Sequence, residues 1–321
     1  MTANAAGIDV GHSHVKVVRD AGVAVAKTCV WPVRESDDIQ LLKKHQDAIV
    51  NLNGEAFWVG DIAVIQSCGE APHLLEDDWV RHPHYAVLMK YGLALAQRMN
   101  KDGRNIDAVG LGLPASAFSR DRKDVKELAH NLFGKEVTHI YVIPQPYAAY
   151  LGYLWLPSGQ VNENAKKQRQ IGVIDVGFGT TDVGLVQEGV WASSAAHSTE
   201  GISRVASAIM RFIREKCGVS IGLQQADEAL RKGLLPIKGH PVDLREVIQR
   251  EANVLAGMIY DAFRISLGRH AETLDAILLV GGGASVVEPH LRKRYPHLVM
   301  PSMAQFAIAR GLCHYARLSQ S

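Results

Sequence analysis

The sequence lacks most of the features that mark membrane, secreted or metal-rich proteins. Its 321 residues contain no run of eighteen apolar side chains, so no membrane-spanning helix is expected. The first residues carry neither a basic region nor an apolar stretch, so no signal peptide is expected. No Cys-x-x-Cys pair occurs among the four cysteines, which argues against a zinc or iron–sulfur site and fits a reducing compartment. These absences predict a cytoplasmic protein.

Positive and negative charges are almost balanced along the chain. There are 35 lysines and arginines and 33 aspartates and glutamates, for a formal net charge of +2. No strong field therefore indicates nucleic acid or anionic lipid as a partner, and neither direct nucleic-acid binding nor membrane binding is expected. The hydrophobic fraction of 47% is enough for substantial cores, and the length favours two domains or one large one.

The most informative stretch is residues 171–186, Ile-Gly-Val-Ile-Asp-Val-Gly-Phe-Gly-Thr-Thr-Asp-Val-Gly-Leu-Val. An apolar run ends in Asp175, glycines follow, and a second alternating run begins, which is typical of a β-hairpin with a glycine-rich tip. Glycine permits backbone conformations in which successive N–H groups surround an anion. A carboxylate beside such a nest favours a phosphate that is bound through a divalent cation. Taken alone, this stretch is equally well interpreted as an ordinary glycine-containing hairpin.

Residues 7–17 repeat this design near the N-terminus. A short apolar strand ends in Asp9, a glycine and polar residues follow, and another apolar strand begins. Lys16 is an additional element, a cation that can reach a phosphate. Two Asp-x-Gly hairpins in one chain indicate two similar half-molecules that face one polyphosphate.

A third glycine cluster follows an apolar strand that begins at residue 277. The cluster consists of Gly281, Gly282, Gly283 and Ala284. A helix is predicted to start near Ser285. A strand, tight glycines and a helix N-terminus together form a phosphate or nucleotide cradle. Each cluster alone is a weak signal, but the three in this order are specific.

These motifs resemble those of the actin superfamily, which includes actin, the heat-shock chaperone ATPases and the sugar kinases. The chain most resembles the bacterial ParM/StbA plasmid-segregation branch, and the resemblance extends across nearly the whole sequence. It implies an α/β, actin-like (ribonuclease H-like) fold with two similar domains flanking a nucleotide cleft. Domain I is expected over 1–158, with a small outer subdomain at about 21–80 and a completing helix over 303–321. Domain II is expected over 159–302.

The resemblance also implies roles for single residues. Residues 7–16 match the first phosphate motif, 175–182 the second and 279–283 the adenosine motif. The implied contacts to ATP or ADP are Gly11, His12, Ser13, His14, Lys16, Gly177, Phe178, Gly179, Thr180, Thr181, Gly201, Gly281, Gly282, Gly283 and Ala284. For Gly201, an ordinary helix start is the alternative. Asp9 and Asp175 are expected to hold Mg²⁺ through its waters. Histidines replace small family residues in the first loop, so Ser13 is its expected hydroxyl contact.

In the family, a Gln or Glu before Pro-x-Ala-Ala begins a connecting helix and orients the attacking water. By position, the resemblance gives this role to Gln145, with a helix-capping glutamine as the alternative, and it makes Asp175 the second catalytic residue. An amide can hold a water but is a poor base, so modest hydrolysis is expected. The family also packs its two connecting helices tightly at small residues, which Ala307 and Gly311 match.

The function that the resemblance implies is that of an ATP-hydrolysing protein which polymerises into dynamic filaments for plasmid or DNA segregation. Its expected partners are further copies of itself and a DNA-bound adaptor protein. One alternative is a small-molecule kinase of the same fold, which needs a catalytic carboxylate in domain I. Asp121 and Asp124 are the nearby candidates, although both look like helix-start residues. The other alternative is a non-polymerising ATPase switch or scaffold.

Further expectations concern secondary structure. One strand is predicted over Val23–Val33, and a hairpin with a type I′ turn at Asn53-Gly54 is predicted over 49–60. The charged stretch 34–48 is expected to be irregular. Later in the chain, we expect a polar linker over 156–170 and helices over 223–233 and 243–268.

Overall fold

The computed structural model describes residues 4–20, 22–34, 43–69, 78–100, 103–156 and 158–320. The chain divides into two compact units: unit 1 comprises Met1–Lys167 with Phe306–Ser321, and unit 2 comprises Gln168–Gln305. Within the described ranges, no helix is long and apolar enough to cross a membrane.

Unit 1 contains a five-stranded sheet, a three-stranded sheet and the helices that pack on them. Its elements before the boundary are β1 Ala5–Val10, β2 His14–Arg19, β3 Gly22–Lys27, β4 Val30–Pro32, β5 Ile49–Leu52, β6 Glu55–Val59, α1 Asp61–Gln66, α2 Pro83–Arg98, β7 Ala108–Leu113, α3 Ala115–Phe133, β8 His139–Pro144, α4 Gln145–Leu154 and α5 Glu163–Lys167. The large sheet has the order β3-β2-β1-β7-β8. Every residue of β1 is buried, as expected for a central strand that is covered on both faces.

Unit 2 is built around a second five-stranded sheet. Its elements are β9 Gln170–Val176, β10 Thr180–Gln187, β11 Val190–Glu200, α6 Ser203–Cys217, α7 Leu223–Lys232, β12 Leu234–Ile237, β13 His240–Asp243, α8 Arg245–Leu267, β14 Ala276–Val280, α9 Ala284–Leu291 and β15 Leu298–Val299. The sheet order is β11-β10-β9-β14-β15. Its core combines apolar side chains from the sheet with those of α6 and α8, such as Ile209 and Phe263.

The two units repeat one topology, as the sequence predicts. In each unit the first three strands of the five-stranded sheet pair antiparallel. The fourth strand of the sheet pairs parallel with the first strand, and the fifth pairs parallel with the fourth. The β1–β2 pair is hereafter hairpin 1, and the β9–β10 pair is hairpin 2. Each hairpin consists of the first two strands of its sheet, so the two Asp-x-Gly motifs occupy equivalent places in the two units.

The last helix, α10 Ala307–Leu318, belongs to unit 1 and packs against α4. A Cβ on Gly311 would lie 1.7 Å from Ala148 O, and a Cβ on Gly152 would lie 2.0 Å from Ala307 O. Only glycine permits such an approach of two helix backbones. The tight packing predicted at Ala307 and Gly311 is therefore confirmed.

The single strand predicted over Val23–Val33 is wrong, because β3 and β4 are separate strands in different sheets. Between them, Thr28 turns back to the tip of hairpin 1. Its N–H donates to Ser13 O at 2.9 Å, and its hydroxyl donates to His12 O at 2.6 Å. Both halves of the predicted strand have a composition typical of strands, so the local sequence does not indicate that the chain moves from one sheet to another.

The hairpin predicted over 49–60 is confirmed: β5 and β6 pair antiparallel, and the turn residues Asn53 and Gly54 have positive φ values of 52° and 87°. The linker predicted over 156–170 is wrong in part, because it contains α5, where Asn162 Oδ1 accepts hydrogen bonds from the N–H groups of residues 164 and 165. Most of the charged stretch 34–48 lies outside the described residues, and its end, Lys43–Ala48, forms a 3₁₀ helix.

The helices predicted over 223–233 and 243–268 are confirmed as α7 and α8, but the hairpin β12–β13 between them was not predicted. Pro236 and Pro241 lie opposite each other in this hairpin. Proline within a run argues against a strand, which explains why the pattern is difficult to recognise.

Candidate functional site

Hairpin 1 brings two charged side chains of unit 1 together. Asp9 lies near the end of β1, and Lys16 lies directly opposite it on β2. Lys16 Nζ is 3.2 Å from Asp9 Oδ2, and the Asp9 side chain is 1% exposed. A carboxylate that is removed from water needs charge and hydrogen-bond partners, and Lys16 supplies the charge.

A third side chain, Gln145 at the start of α4, completes this arrangement. Its Nε2 donates to Asp9 Oδ1 at 2.8 Å, although the two residues are 136 positions apart. An ionised carboxylate only accepts hydrogen bonds, so the amide must present its NH₂ group to Asp9. The amide oxygen Oε1 is then directed elsewhere and can accept a hydrogen from water. Gly112 makes room for this side chain, since a Cβ there would lie 2.9 Å from Gln145 Cγ.

The tip of hairpin 1 is held by contacts within unit 1. The N–H of Gly11 donates to His14 O at 3.2 Å, so this group is committed inside the hairpin. Ser13 Oγ lies 2.8 Å from His14 Nδ1. The centre of the His12 ring lies 5.3 Å from that of Trp79. Both bulky side chains of the tip are thus supported by neighbours, and Trp79 is a contact that sequence reasoning does not identify.

Hairpin 2 has the same backbone arrangement in unit 2. The N–H of Gly177 donates to Thr180 O at 2.9 Å, as the corresponding bond closes hairpin 1. Asp175 lies directly opposite Asp182. In hairpin 1 the equivalent aspartate, Asp9, lies opposite Lys16. The two hairpins therefore share geometry and differ in the charge at one position.

Asp182 is a buried carboxylate, 2% exposed. Burial raises the pKa of Asp182 from 3.8 to about 6, and a hydrogen bond from Ser198 Oγ acts in the opposite direction. Asp175 is also buried. Two buried carboxylates therefore lie opposite each other on adjacent strands of hairpin 2.

The tip of hairpin 2 packs against the turn between β11 and α6. Gly201 N donates to Gly179 O at 3.0 Å, and Ser203 N donates to Phe178 O at 2.8 Å. A Cβ on Gly201 would lie 2.5 Å from Phe178 O, so a larger residue would displace the tip. The Phe178 ring belongs to the core of unit 2, and the Thr181 hydroxyl donates to the β11 backbone at 2.9 Å. The side chains of Phe178 and Thr181 therefore contribute to the packing and hydrogen bonding of unit 2.

The third glycine cluster also contacts hairpin 2. Gly281 has a φ of +93°, and a Cβ there would lie 2.5 Å from Asp175 Oδ1. Gly283 N donates to Val176 O at 2.9 Å. A Cβ on Gly282 would meet no described atom within 4 Å. The predicted site elements of unit 2 thus converge around Asp175: the hairpin tip, the turn at Gly201 and the glycines before α9.

A polar groove of about 430 Å³ lies along α6. Within it, Arg204 Nη1 donates to Glu200 Oε2 at 2.8 Å. Its lining residues are Glu200, Ser203, Arg204, Ser207, Arg211 and Glu251. Sequence reasoning does not identify this groove, because its members come from separate elements and resemble ordinary solvated charges.

Comparison with known families matches both halves of the chain. The family model described as "Actin like proteins N terminal domain" matches residues 7–147. The model described as "Archaeal actin homologue MreB-like, C-terminal" matches residues 173–293. Each match begins at or close to one of the two hairpins, and together the matches cover most of the chain.

Similar proteins span nearly the whole chain. An archaeal actin homologue from Thermoplasma volcanium is 26% identical over 95% of this chain and 96% of its own length. A 15-stranded ParM filament from Clostridium botulinum has a TM-score of 0.78 at 17% identity, covering 99% of this chain and 100% of the other. An archaeal actin homologue in complex with ADP has a TM-score of 0.76 at 20% identity, with 99% and 100% coverage.

The repeated sheet topology, the two Asp-x-Gly hairpins and the matches to both actin-like family models agree with one another. The chain belongs to the actin superfamily and is similar to its ParM-like and archaeal members.

Proposed function

We propose that the chain binds ATP, hydrolyses it to ADP and polymerises into ATP-dependent filaments. The observation that carries this proposal is the pair of equivalent hairpins, each with a buried aspartate near the end of its first strand and a glycine at its tip. Such a hairpin offers backbone N–H groups to phosphate and a carboxylate to a cation. The ADP complex of an archaeal actin homologue supports nucleotide binding.

In this proposal each hairpin contributes to phosphate binding. Lys16 offsets phosphate charge, and the glycines at 281–283 contact the nucleoside. The open surface at Gly282 supports this role, since a backbone without a side chain lets a ligand approach closely.

The donor atoms fit Mg²⁺ as the cation. Both oxygens of Asp9 accept hydrogen bonds within unit 1, so this carboxylate suits contact through water, which Mg²⁺ retains readily. At hairpin 2, a cation would offset the charge of the buried carboxylates Asp175 and Asp182. When bound, Mg²⁺ would neutralise charge on the phosphates.

Gln145 is proposed to orient the attacking water. The bond from its Nε2 to Asp9 holds the amide in one orientation, and Oε1 remains as the acceptor for a water hydrogen. An amide does not take up a proton at neutral pH, so the side chain positions the water without acting as a base. Slow hydrolysis is the expected consequence.

Polymerisation is supported by the similar ParM structure, which is a filament. We extend the proposal to segregation of plasmid or other DNA, with a DNA-bound adaptor protein connecting the filament to its cargo. The net charge of +2 gives no support for direct DNA binding.

High-speed pelleting with light scattering, in Mg-ATP, Mg-ADP and a non-hydrolysable analogue, tests the proposal. We expect assembly with ATP that later decays, and persistent assembly with the analogue. Gln145→Ala is expected to assemble with ATP and to lose filaments at least about tenfold more slowly. Asp175→Ala is expected not to assemble, whereas Asp261→Ala, at an exposed position on α8, serves as the matched control. ATP turnover without pelleting would exclude the filament and favour the switch alternative.

The kinase alternative has little support from its candidate base. Asp121 lies in the second turn of α3 rather than at the helix start, and it is fully buried. Its carboxylate is 2.8 Å from Arg120 and 2.9 Å from Arg81. The hydrogen bond from Arg120, with that from Arg81, holds the pKa of Asp121 below its usual range although burial acts in the opposite direction. Asp124 is exposed and pairs with Arg81. Carboxylates held in this way are poor general bases.

A further inference from the structure

The tip of hairpin 1, which is proposed to contribute to phosphate binding, carries the bulky ring of His12. His12 is half-buried at the tip, and its ring centre lies 5.3 Å from that of Trp79, with 34° between the ring planes. The His12 carbonyl accepts the Thr28 hydroxyl at 2.6 Å. Both the side chain and the backbone of His12 are thus held from outside the hairpin.

Trp79 is itself anchored independently of hairpin 1. It is 7% exposed and lies in a short 3₁₀ turn, Trp79–Arg81, directly before α2. Its ring packs edge-on against Tyr85 at 5.0 Å. At the other end of the turn, Arg81 pairs with the fully buried Asp121 at 2.9 Å. The indole is therefore a fixed surface against which the histidine ring rests.

We propose that Trp79 is a positioning residue for nucleotide binding: by packing against the His12 ring it keeps that ring away from the ligand and fixes the tip of hairpin 1. The inference rests on the proposed binding of ATP. Within the described residues, Asp9 accepts hydrogen bonds from Lys16 and Gln145 and not from Trp79, so we expect loss of the Trp79 ring to change nucleotide affinity more than the chemical step.

ATP binding and turnover of Trp79→Leu test this inference. Loss of the aromatic contact is expected to raise Kd and KM for ATP about three- to tenfold, while kcat changes less than about twofold, because uniform binding alone is lost. Trp79→Phe keeps a ring and should restore most of the affinity. The matched control is Trp155→Leu, which removes another Trp–His ring contact of unit 1, with ring centres 5.8 Å apart, and should leave KM unchanged.

His12→Ala removes the ring that Trp79 is proposed to hold and provides a second route if Trp79→Leu folds poorly. Because the ring itself is then absent, this variant should weaken ATP binding less than Trp79→Leu does. Because both substitutions break one contact, the double variant is expected to bind ATP no more weakly than the weaker single variant. Trp79 should also report the ligand: ATP is expected to change the tryptophan emission of the wild type, and this change should disappear in Trp79→Phe and persist in Trp155→Phe.

The outcomes separate the two claims. If labelled ATP does not bind the wild type, the proposed function and this inference both fail. If the wild type binds ATP and a correctly folded Trp79→Leu binds it equally well, only the positioning role fails. Equal losses in Trp79→Leu and Trp155→Leu, or multiplicative losses in the double variant, would likewise overturn it.

Discussion

Hairpins 1 and 2 have the same backbone and different charges. Each begins on a central strand, carries a buried aspartate there and closes its tip with a glycine N–H bond. Opposite the aspartate, hairpin 1 has Lys16 and hairpin 2 has Asp182. Hairpin 1 therefore pairs its aspartate with a cation, whereas hairpin 2 places a second carboxylate at the equivalent position. Two hairpins with the same backbone register therefore differ in the residue that faces the buried aspartate.

The largest expected effect comes from removing the cation of hairpin 1. Lys16→Met leaves the buried Asp9 carboxylate without its charge partner and should lower the free energy of unfolding by about 3 kcal/mol. Urea unfolding at pH 7 measures this change. Adding Asp9→Asn to Lys16→Met should recover much of the loss. Lys27→Met, which breaks the more exposed pair with Asp61, is the control and should cost less than about 1 kcal/mol.

Removing the equivalent charge in hairpin 2, by Asp182→Asn, should stabilise the protein, whereas Lys16→Met destabilises it. Folded Asp182 has a pKa raised from 3.8 to about 6, so the native state binds its proton more tightly than the unfolded state does. Its contribution to stability therefore falls as pH rises from about 4 to about 6. Without nucleotide, the free energy of unfolding of Asp182→Asn minus that of the wild type should therefore increase by about 2 kcal/mol between pH 4 and pH 6. A flat difference between pH 4 and pH 7 would contradict the assignment.

The equivalent tip glycines should differ in tolerance. A Cβ on Gly177 would lie 2.7 Å from Thr180 O, whereas a Cβ on Gly11 would lie 3.3 Å from His14 O. Gly177→Ala should therefore cost about 1.5 kcal/mol and Gly11→Ala about 0.5 kcal/mol, measured by urea unfolding. Equal losses of stability in the two variants would contradict this prediction and would show that both tips accommodate a Cβ equally well.

A further small effect concerns the hydroxyl that hydrogen-bonds to Asp182. Ser198 Oγ donates to Asp182 Oδ1 and opposes the effect of burial on the pKa. Ser198→Ala should raise the pKa of Asp182 further above 6 and reduce stability by about 1 kcal/mol at pH 8, where the carboxylate is charged. Carbon-detected NMR titration of the carboxyl group measures the pKa. Ser158→Ala, in the exposed loop after α4, should leave the titration unchanged.

Local pattern was sufficient for the elements that carry the motifs. Strand runs bounded by glycine predict both hairpins, and the Asn53-Gly54 turn is present where it is expected. The break at Thr28 and the hairpin β12–β13 escaped prediction. In the first case one apolar run changes sheets, and in the second two prolines lie opposite each other. Neither feature can be recognised from the few residues around it, because each depends on how separate strands pair.

The site shows the same division. The order of residues along the chain places Asp9 and Asp175 near the ends of strands and glycines at the tips, because these choices depend on period-two patterning and local backbone freedom. Tertiary packing alone brings Gln145 to Asp9, Trp79 to His12 and Gly281 to Asp175. It also makes Asp182 hard to ionise, since desolvation depends on what surrounds a side chain in the folded state and not on its neighbours in sequence.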